Sequence, residues 1–333
     1  MATIDFPEIH DALGKQAKIM LYGGNGIGKT YQVTRIPNVL ILDSESGTMS
    51  APPDTLVAAR PNQIDDVFAS DKVRYPSFVI PVSHPIEVER IARVFERRQN
   101  RSRFRAVVID SMTYLYDVII CGDVRKNFAG NAVEVIMSED GKDVLRALSG
   151  TGHQYAQTRT VEVMELFRDV GCHFVWTFHE GMRTENGTDV IQPLLGGNKL
   201  LPKLKGLADF GLRIEWQRRK VESGETRSDR VLRCHPSATV WAKNRGPHGD
   251  KLREIEPCDL NRIIHLIETG ELSKVGELPK IGKVVDTAHE VVEVPVQKVT
   301  EAASVVSVVS MVSAANVASA GVPEVSLLTG GEG

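Results

Sequence analysis

Residues 23–30 carry the sequence Gly23-Gly24-Asn25-Gly26-Ile27-Gly28-Lys29-Thr30, which matches the phosphate-binding pattern G-x-x-x-x-G-K-[ST] in full. The apolar run at 17–22 is typical of a buried parallel strand, and residues 31–36 predict a short helix that Pro37 ends. In this context the backbone N–H groups of the turn point inward around a polyphosphate, and the helix start adds positive potential. The motif therefore predicts that Lys29 binds the β- and γ-phosphates and that the Thr30 hydroxyl binds Mg²⁺.

A phosphate loop of this kind works with an acidic residue at the end of a neighbouring strand, and residues 105–111 supply a candidate. Their apolar run favours a strand that is covered on both faces. Asp110 then lies at the carboxyl end of that strand, where open α/β sheets bind ligands, and we expect it to hold Mg²⁺ directly or through water. Alternatively, Asp110 caps the next helix, because Asp and the following Ser111 are both good N-caps.

A third strand is predicted at 38–43, and the loop after it offers a catalytic base. Glu45 is the candidate that orients and activates a water molecule against the γ-phosphate, and Asp43 competes with it. Strand alternation turns both positions to the same side, so the residues alone do not separate them. Either one can also be an ordinary acidic residue of an exposed loop.

Strand-like and helix-like segments alternate along most of the chain, which predicts an α/β fold with a mostly parallel sheet flanked by helices. Strand candidates are 17–22, 38–43, 77–82, 105–110 and 173–178, and helix candidates are 86–98, 155–170 and 259–268. Apolar and polar residues alternate at 212–216, 230–234 and 239–243, which predicts an antiparallel extension at the C-terminal edge of the sheet. The predicted domains are an arm at 1–16, a core at 17–270 and a low-complexity tail at 271–333.

The composition is that of an ordinary soluble protein from a reducing compartment. The net charge is −3, so contact with nucleic acid requires a local basic patch. The four cysteines show no C-x-x-C spacing, which argues against a structural zinc site and a disulfide framework. The N-terminus is too acidic for a signal peptide, and the uncharged segment 302–322 lacks the Leu, Ile and Phe of a membrane span. We therefore expect a cytoplasmic protein with no membrane contact and a disordered tail, in which 302–322 is alternatively a partner-binding helix.

The order of these features resembles the ATPase core of RecA-type recombinases, and more closely the phage single-strand annealing ATPases of the Sak type. The resemblance covers roughly residues 17–250. It implies a RecA-like P-loop NTPase with ATP and Mg²⁺ as its cofactors. The segment 41–45 resembles the strand whose terminal Glu is the catalytic base of recombinases, which favours Glu45 over Asp43. The segment 108–111 resembles the Mg²⁺-linked strand, in agreement with the role given to Asp110.

Two further segments acquire roles from the resemblance. His179 follows a strand at the position of the family's γ-phosphate sensor, which is usually Gln, and the alternative is a His that caps a strand end. The segment 181–206 looks like the mobile DNA-binding loop of the family, with Gly196-Gly197-Asn198 near its end, or else a solvated surface loop. Its cations are expected to contact DNA phosphates; they are Arg183, Lys199, Lys203 and Lys205.

The segment Lys243-Asn244-Arg245 resembles the Lys-Asn-Lys of recombinases, in which two cations reach the ATP of the neighbouring subunit. By resemblance, Lys243 and Arg245 act in trans on the charge of the transition state, which implies a homo-oligomer in the form of a ring or filament. The alternative is a basic turn before Pro247.

The sequence thus predicts a DNA-stimulated, Mg²⁺-dependent ATPase that acts on single-stranded DNA in phage recombination or annealing. Its expected location is the cytoplasm of a bacterial host, and a single-strand-binding protein is the partner that the resemblance implies. Three other classes remain open: a non-catalytic, nucleotide-gated DNA-binding or annealing module; a phage motor of the helicase or packaging type; and a small-molecule kinase. The segments 196–198 and 243–245 do not suggest the arginine-rich lid and acceptor pocket of a kinase.

Overall fold

The computed structural model describes the part of the chain that contains the predicted core. The described residues are 16–47, 57–65, 77–97, 104–127, 130–137, 144–168, 170–196, 199–220 and 225–272, and all of them belong to one compact unit, Met1–Gly282. The predicted arm up to residue 15 and the tail after residue 272 lie outside the described residues, and so does segment 302–322. The domain boundaries therefore stay predictions.

A large, mostly parallel sheet forms the centre of the protein. Its strands are β1 (Lys18–Gly23), β2 (Val39–Asp43), β3 (Val57–Ala58), β4 (Ser77–Pro81), β5 (Ala106–Asp110), β8 (His173–Glu185), β9 (Thr188–Pro193), β10 (Phe210–Lys220), β11 (Thr226–Arg233), β12 (Lys243–Asn244) and β13 (Ile255–Pro257). A separate antiparallel pair consists of β6 (Val133–Met137) and β7 (Val144–Leu148). The spatial order of the main path is β13-β11-β10-β1-β8-β5-β2-β4-β3, with β9 on β8 and β12 on β10.

Helices cover both faces of this sheet. They are α1 (Lys29–Thr34), α2 (Pro85–Arg97), α3, α4 (Gly150–Leu166), α5 (Leu200–Leu207) and α6 (Leu260–Thr269). Helix α3 is continuous and consists of Met112–Tyr114, the π-helical stretch Leu115–Ile120, and Cys121–Asn127. Among the described residues, none of the helices has the length and apolar character needed to span a membrane.

Strand alternation sends the side chains of β1 to two separate cores. Met20 and Tyr22 pack on the face covered by α2, α3, α4 and α5, whereas Ile19 and Leu21 pack on the face covered by α1 and α6. Each of these four side chains is fully buried, which explains why the strand has a continuous apolar sequence. The three-layer α/β architecture, with antiparallel strands at the C-terminal edge, confirms the predicted fold class.

Strand β10 is the boundary between the parallel and the antiparallel part of the sheet. Strand β10 pairs in parallel with β1, with Leu212 opposite Leu21, and the antiparallel part begins only at β11. The alternation at 212–216 arises because Leu212 and Ile214 on one face of β10 are fully buried, whereas the polar residues Arg213 and Glu215 on the other face are only partly buried. Such a period reports the burial of each face and carries no information about strand direction. Of the predicted strand at 239–243, only a bridge at Val240 and the start of β12 are present.

Candidate functional site

The phosphate loop joins the carboxyl end of β1 to the start of α1. Gly26 and Gly28 have φ of 68° and 102°, in the left-handed region that glycine adopts without a steric penalty. Lys29 is only 7% exposed, and its Nζ donates to the carbonyl oxygens of Gly23 and Gly24 at 2.9 Å each. Burial lowers the pKa of Lys29, an effect that the nearby carboxylates Asp110 and Glu45 oppose. The cation is therefore held inside the loop, where a polyphosphate would meet it.

Asp110 lies beside Thr30, as the sequence predicted. It ends β5, and its Oδ2 accepts the Thr30 hydroxyl at 2.7 Å while its Oδ1 accepts the Thr177 hydroxyl of β8. Burial raises the pKa of Asp110, and the two hydroxyl hydrogen bonds counteract that rise. The cap of the next helix is formed instead by Ser111, whose Oγ accepts the N–H of Tyr114.

The Thr30 and Asp110 oxygens fit the chemistry of Mg²⁺. This ion binds hard oxygen ligands, and in nucleotide sites it uses one or two protein groups together with phosphate and water oxygens. A hydroxyl and a carboxylate in direct contact supply such a pair of groups. Within the described ranges, no cluster of three or more His, Cys, Asp or Glu side chains could hold a metal by itself. This finding agrees with a site that needs the nucleotide to complete it.

The two acids after β2 have different surroundings. Asp43 is 4% exposed, and its Oδ1 accepts the backbone N–H groups of Glu45 and Gly47 at 3.1 and 3.2 Å. Asp43 therefore stabilises the conformation of the loop that follows β2. Glu45 is half-exposed, and its Oε1 lies 3.3 Å from His179 Nε2. The hydrogen bond with His179 is the largest influence that lowers the pKa of Glu45, so this side chain is ionised near neutral pH.

His179 reaches this group from β8. It is paired with Gly23 at the first residue of the loop, and its backbone N–H donates to Thr113 Oγ1 at 3.1 Å. Its Nδ1 is buried and has no hydrogen-bond partner within the described part of the chain. The structure thus brings together five predicted residues at one edge of the sheet, namely Lys29, Thr30, Glu45, Asp110 and His179.

Residues 15–246 match the sequence family AAA_24, which is described as an AAA domain. The chain belongs to this AAA domain family. No curated protein matches its sequence significantly. The strand order and the phosphate loop give the AAA domain a RecA-like P-loop ATPase fold.

The solved structures that are similar to this AAA domain share little sequence with it. One is the genome packaging NTPase B204 of Sulfolobus turreted icosahedral virus 2 in complex with ATP-gammaS, with 10% identity, a TM-score of 0.31, and coverage of 63% of this chain and 78% of that chain. Another is the KaiC-like protein PH0186 of Pyrococcus horikoshii, with 11% identity, a TM-score of 0.32, and coverage of 66% and 80%. A third is the flagellar accessory protein FlaH of Methanocaldococcus jannaschii, with 12% identity, a TM-score of 0.31, and coverage of 76% and 91%.

The described part of segment 181–206 in the AAA domain forms a hairpin and a helix, where the sequence led us to expect a loop. Strand β8 continues through Glu185 and turns at Asn186-Gly187 into β9, and α5 follows. Both turn residues have positive φ, 52° and 80°, so the Asn-Gly pair is the usual sequence of a tight hairpin turn. Residues 197 and 198 lie outside the described residues.

The four cations predicted to bind DNA are divided between the hairpin and α5. Arg183 lies on the hairpin opposite Val190, and Lys199 and Lys203 are exposed at the start and middle of α5. Lys205 is half-buried, donates to Gln192 Oε1, and has its Nζ 4.9 Å from the centroid of the Trp241 ring. The first three cations are therefore the ones that remain accessible to a ligand.

Lys243 and Arg245 do not join the phosphate loop of their own AAA domain. Strand β12 pairs with Phe210 and Gly211 at the start of β10, whereas the loop follows the other end of β1. Lys243 Nζ donates to the carbonyl oxygens of Lys205 and Gly206 at 2.8 and 3.3 Å, and thereby caps the end of α5. The Arg245 residue is exposed. A role of either cation in ATP chemistry thus requires a second subunit.

Several residues around the loop were missed by the sequence analysis. Thr177 holds Asp110 from the neighbouring strand, which the apolar character of β8 concealed. Glu180 pairs with Arg213 Nε at 3.0 Å, and its Oε1 lies 3.4 Å from the position of a Cβ on Gly24. Arg230 Nη1 donates to the carbonyl of Ile27 at 3.2 Å from far along the chain. Only the folded arrangement reveals these contacts, because β8, β10 and β11 are distant from the loop in sequence.

Proposed function

We propose that this protein is a Mg²⁺-dependent ATPase that acts on single-stranded DNA in recombination or annealing. The observation that carries the ATPase part is the meeting of Lys29, Thr30, Asp110 and Glu45 at the carboxyl edge of the sheet. These residues supply a cation for the phosphates, two oxygens for Mg²⁺ and an ionised carboxylate. P-loop ATPases need these groups for phosphoryl transfer to water.

Each residue then has a defined task in hydrolysis. The loop N–H groups and Lys29 hold the β- and γ-phosphates, so that negative charge is neutralised where it develops. Thr30 and Asp110 would hold Mg²⁺, which would supply further neutralisation of the phosphate charge. Glu45 orients a water molecule for in-line attack and accepts its proton, which requires the ionised form that its lowered pKa maintains at neutral pH. His179 positions Glu45 through their 3.3 Å contact.

The β8–β9 hairpin supports single-stranded DNA as the partner. His179, at the predicted γ-phosphate sensor position, and Arg183 lie on the same strand, β8. A ligand that binds Arg183 therefore contacts the strand that carries His179. The carbonyl of His179 also accepts the N–H of Leu194 after β9 at 2.7 Å. A polyanion bound along Arg183, Lys199 and Lys203 could therefore influence the Glu45–His179 contact. The resemblance to annealing ATPases favours single strands, a cytoplasmic location in a bacterial host, and a single-strand-binding protein as a partner.

Steady-state ATP hydrolysis with Mg²⁺, with and without single-stranded DNA at two salt concentrations, tests the proposal. We expect turnover that single strands stimulate and that salt suppresses, because each phosphate contact releases counterions. Lys29→Ala should abolish turnover without unfolding the protein, and the matched control Lys126→Ala, at an exposed lysine of α3, should leave it unchanged.

Each contrary outcome has a definite meaning. Retained turnover in Lys29→Ala contradicts the site. Hydrolysis that is indifferent to DNA contradicts the DNA part and leaves a motor or a protein-activated switch. ATP binding without any hydrolysis, together with intact annealing, identifies a nucleotide-gated module in place of an enzyme.

A further inference from the structure

Three side chains form a layered cluster beside the phosphate loop. The guanidinium carbon of Arg230 lies 5.8 Å from the centroid of the Tyr31 ring and 5.7 Å from the centroid of a Trp216 ring. Both distances are within the range of a cation–π interaction. We call Tyr31, Arg230 and Trp216 the aromatic platform. None of these three residues belongs to the two buried cores of the described part of the chain.

The platform is attached to the phosphate loop. Arg230 Nη1 donates to the carbonyl oxygen of Ile27 inside the loop at 3.2 Å. The approach is possible because residue 28 is glycine: a Cβ there would lie 2.4 Å from the same nitrogen. Tyr31 follows Thr30 directly on α1, so one member of the platform belongs to the loop's own helix.

The sheet fixes the other two members relative to each other. Trp216 on β10 and Arg230 on β11 are direct partners in the antiparallel register. Directly opposite residues in such a pair have their side chains on the same face of the sheet. Tyr31 also contacts a second guanidinium, that of Arg35, whose central carbon lies 5.4 Å from the ring centroid. The register of the sheet and these ring contacts therefore hold the three side chains of the platform together.

The aromatic rings of the platform face water. Trp216 is 60% exposed and Tyr31 is 41% exposed. Single exposed aromatic residues are common on protein surfaces, but two of them around one guanidinium next to a phosphate loop make an open stacking surface. Aromatic rings and Arg guanidinium planes are the groups on which nucleic-acid bases stack.

We infer that the aromatic platform binds the base of the nucleoside triphosphate whose phosphates are held by residues 23–30. This inference rests on the proposed ATP binding. With the phosphates in the loop, the ribose and base must extend past the first turn of α1, where Tyr31 lies. Trp216 then stacks on the base, and Arg230 ties that stacking surface to the loop carbonyl. Trp216 is thus a residue that determines affinity for the nucleoside part of the ligand.

Trp216→Ala provides the test, measured by calorimetry with ADP and with inorganic tripolyphosphate in the presence of Mg²⁺. Loss of one stacking contact should weaken ADP binding by about 10-fold to 100-fold. Binding of tripolyphosphate should not change, because that ligand has no base. Trp216→Phe keeps an aromatic face and should retain most of the ADP affinity. The control Tyr155→Ala removes a 50% exposed aromatic residue on α4 and should leave both ligands unaffected.

Tryptophan fluorescence gives a second readout on the wild-type protein. ADP should change the emission of Trp216, tripolyphosphate should not, and the ADP response should be absent from Trp216→Phe. The inference is overturned if Trp216→Ala binds ADP as tightly as the wild type, or if it loses affinity for ADP and tripolyphosphate equally. It is also overturned if only binding of single-stranded DNA is lost, which would assign the platform to DNA. A wild type that binds neither ligand refutes the proposed function itself, so the two failures are distinguishable.

Discussion

Glu45 Oε1 lies 3.3 Å from His179 Nε2, and this contact joins the loop after β2 to the strand that leads into the β8–β9 hairpin. The candidate base and the candidate sensor are therefore in contact with each other. The contact lowers the pKa of Glu45 more than any other influence does, while burial acts in the opposite direction. His179 is thus the residue through which the hairpin can affect the protonation and the position of the base.

Replacement of His179 should change the pH dependence of hydrolysis. A base with a lowered pKa stays ionised to lower pH, so the wild type should keep its activity into the acidic range. His179→Ala removes the main cause of that lowering, and the pKa of Glu45 should rise toward its usual value near 4.5. The acidic limb of the kcat/KM profile should then move to higher pH. His179→Gln, which keeps a donor, should shift it less.

The control for this experiment is His153→Ala, at an exposed histidine of α4. It should leave the profile unchanged. An acidic limb at the same pH in His179→Ala and the wild type would contradict the role given to the contact, even if the rate were lower.

A pair of isosteric variants separates the two acids after β2. Glu45→Gln removes the carboxylate that accepts a proton, and turnover should fall by about 100-fold or more while ATP affinity is retained. Asp43→Asn keeps an Oδ1 that can accept the N–H groups of Glu45 and Gly47, so its turnover should stay within a few-fold of wild type. Single-turnover hydrolysis and ATP binding measure the two effects. The opposite ranking would assign the base to Asp43.

The parallel strands of the core were predictable because both of their faces are buried. Segments 17–22, 38–43, 77–82 and 105–110 each agree with an observed strand to within a residue or two at either end. The exposed strands at the surface of the fold were harder to predict from the sequence. Strand β8 runs beyond 178 into an exposed hairpin, where burial no longer imposes an apolar pattern. The turn at Asn186-Gly187 was a readable hairpin sequence that the loop interpretation overlooked.

The candidate site was predictable to the extent that one motif encodes it. The sequence of residues 23–30 by itself specifies the conformation of the phosphate loop. The position of Asp110 could be predicted because it is the last residue of a recognisable buried strand. The choice between Asp43 and Glu45 depends on which one accepts backbone N–H groups, a contact that strand alternation does not report. Trp216 and Arg230 reach the loop from strands about two hundred residues away in sequence. No local pattern marks such residues, because only sheet order brings them to the loop.

The separation of Arg245 from its own phosphate loop predicts complementation between subunits. Arg245→Ala should lose turnover and keep ATP binding, because its loop is intact. Glu45→Ala should also lose turnover and keep ATP binding, because it lacks the candidate base. In mixed oligomers a site can combine Glu45 from one subunit with Arg245 from its neighbour, so mixing the two inactive variants should restore part of the activity. Mixing Glu45→Ala with Lys29→Ala is the control, because both defects then lie in the same half of the site.

Restored turnover in the Arg245 mixture alone would support the action in trans. If neither mixture regains turnover, or if both regain it equally, the action of Arg245 in trans is contradicted. Lys243→Ala is informative for a different reason, because this lysine caps α5 within its own chain. Its loss should lower the unfolding temperature, whereas Arg245→Ala should not.

The contact of α6 with the amino ends of β5 and β8 predicts a specific loss of stability in acid. Glu268 accepts from Arg105 Nε and Nη2 at 2.8 Å each, and His173 Nε2 lies 3.3 Å from its Oε1. Burial acts to raise the pKa of Glu268, but the hydrogen bonds from His173 and Arg105 outweigh burial and lower the pKa to about 2. The folded protein therefore binds a proton at this site less readily than the unfolded chain.

A lowered carboxyl pKa stabilises the fold above the unfolded value near 4.5, and this contribution is lost as the pH falls from there toward about 2. The Glu268 side chain is 29% exposed, so after solvent screening we expect about 1–2 kcal/mol at neutral pH. Glu268→Gln should lose this amount in urea unfolding at pH 7, and the difference from wild type should shrink at pH 3. Glu271→Gln, at an exposed acid just after α6, should change stability little at either pH. A difference that is the same at both pH values would mean that Glu268 contributes through packing, with no net contribution from its charge.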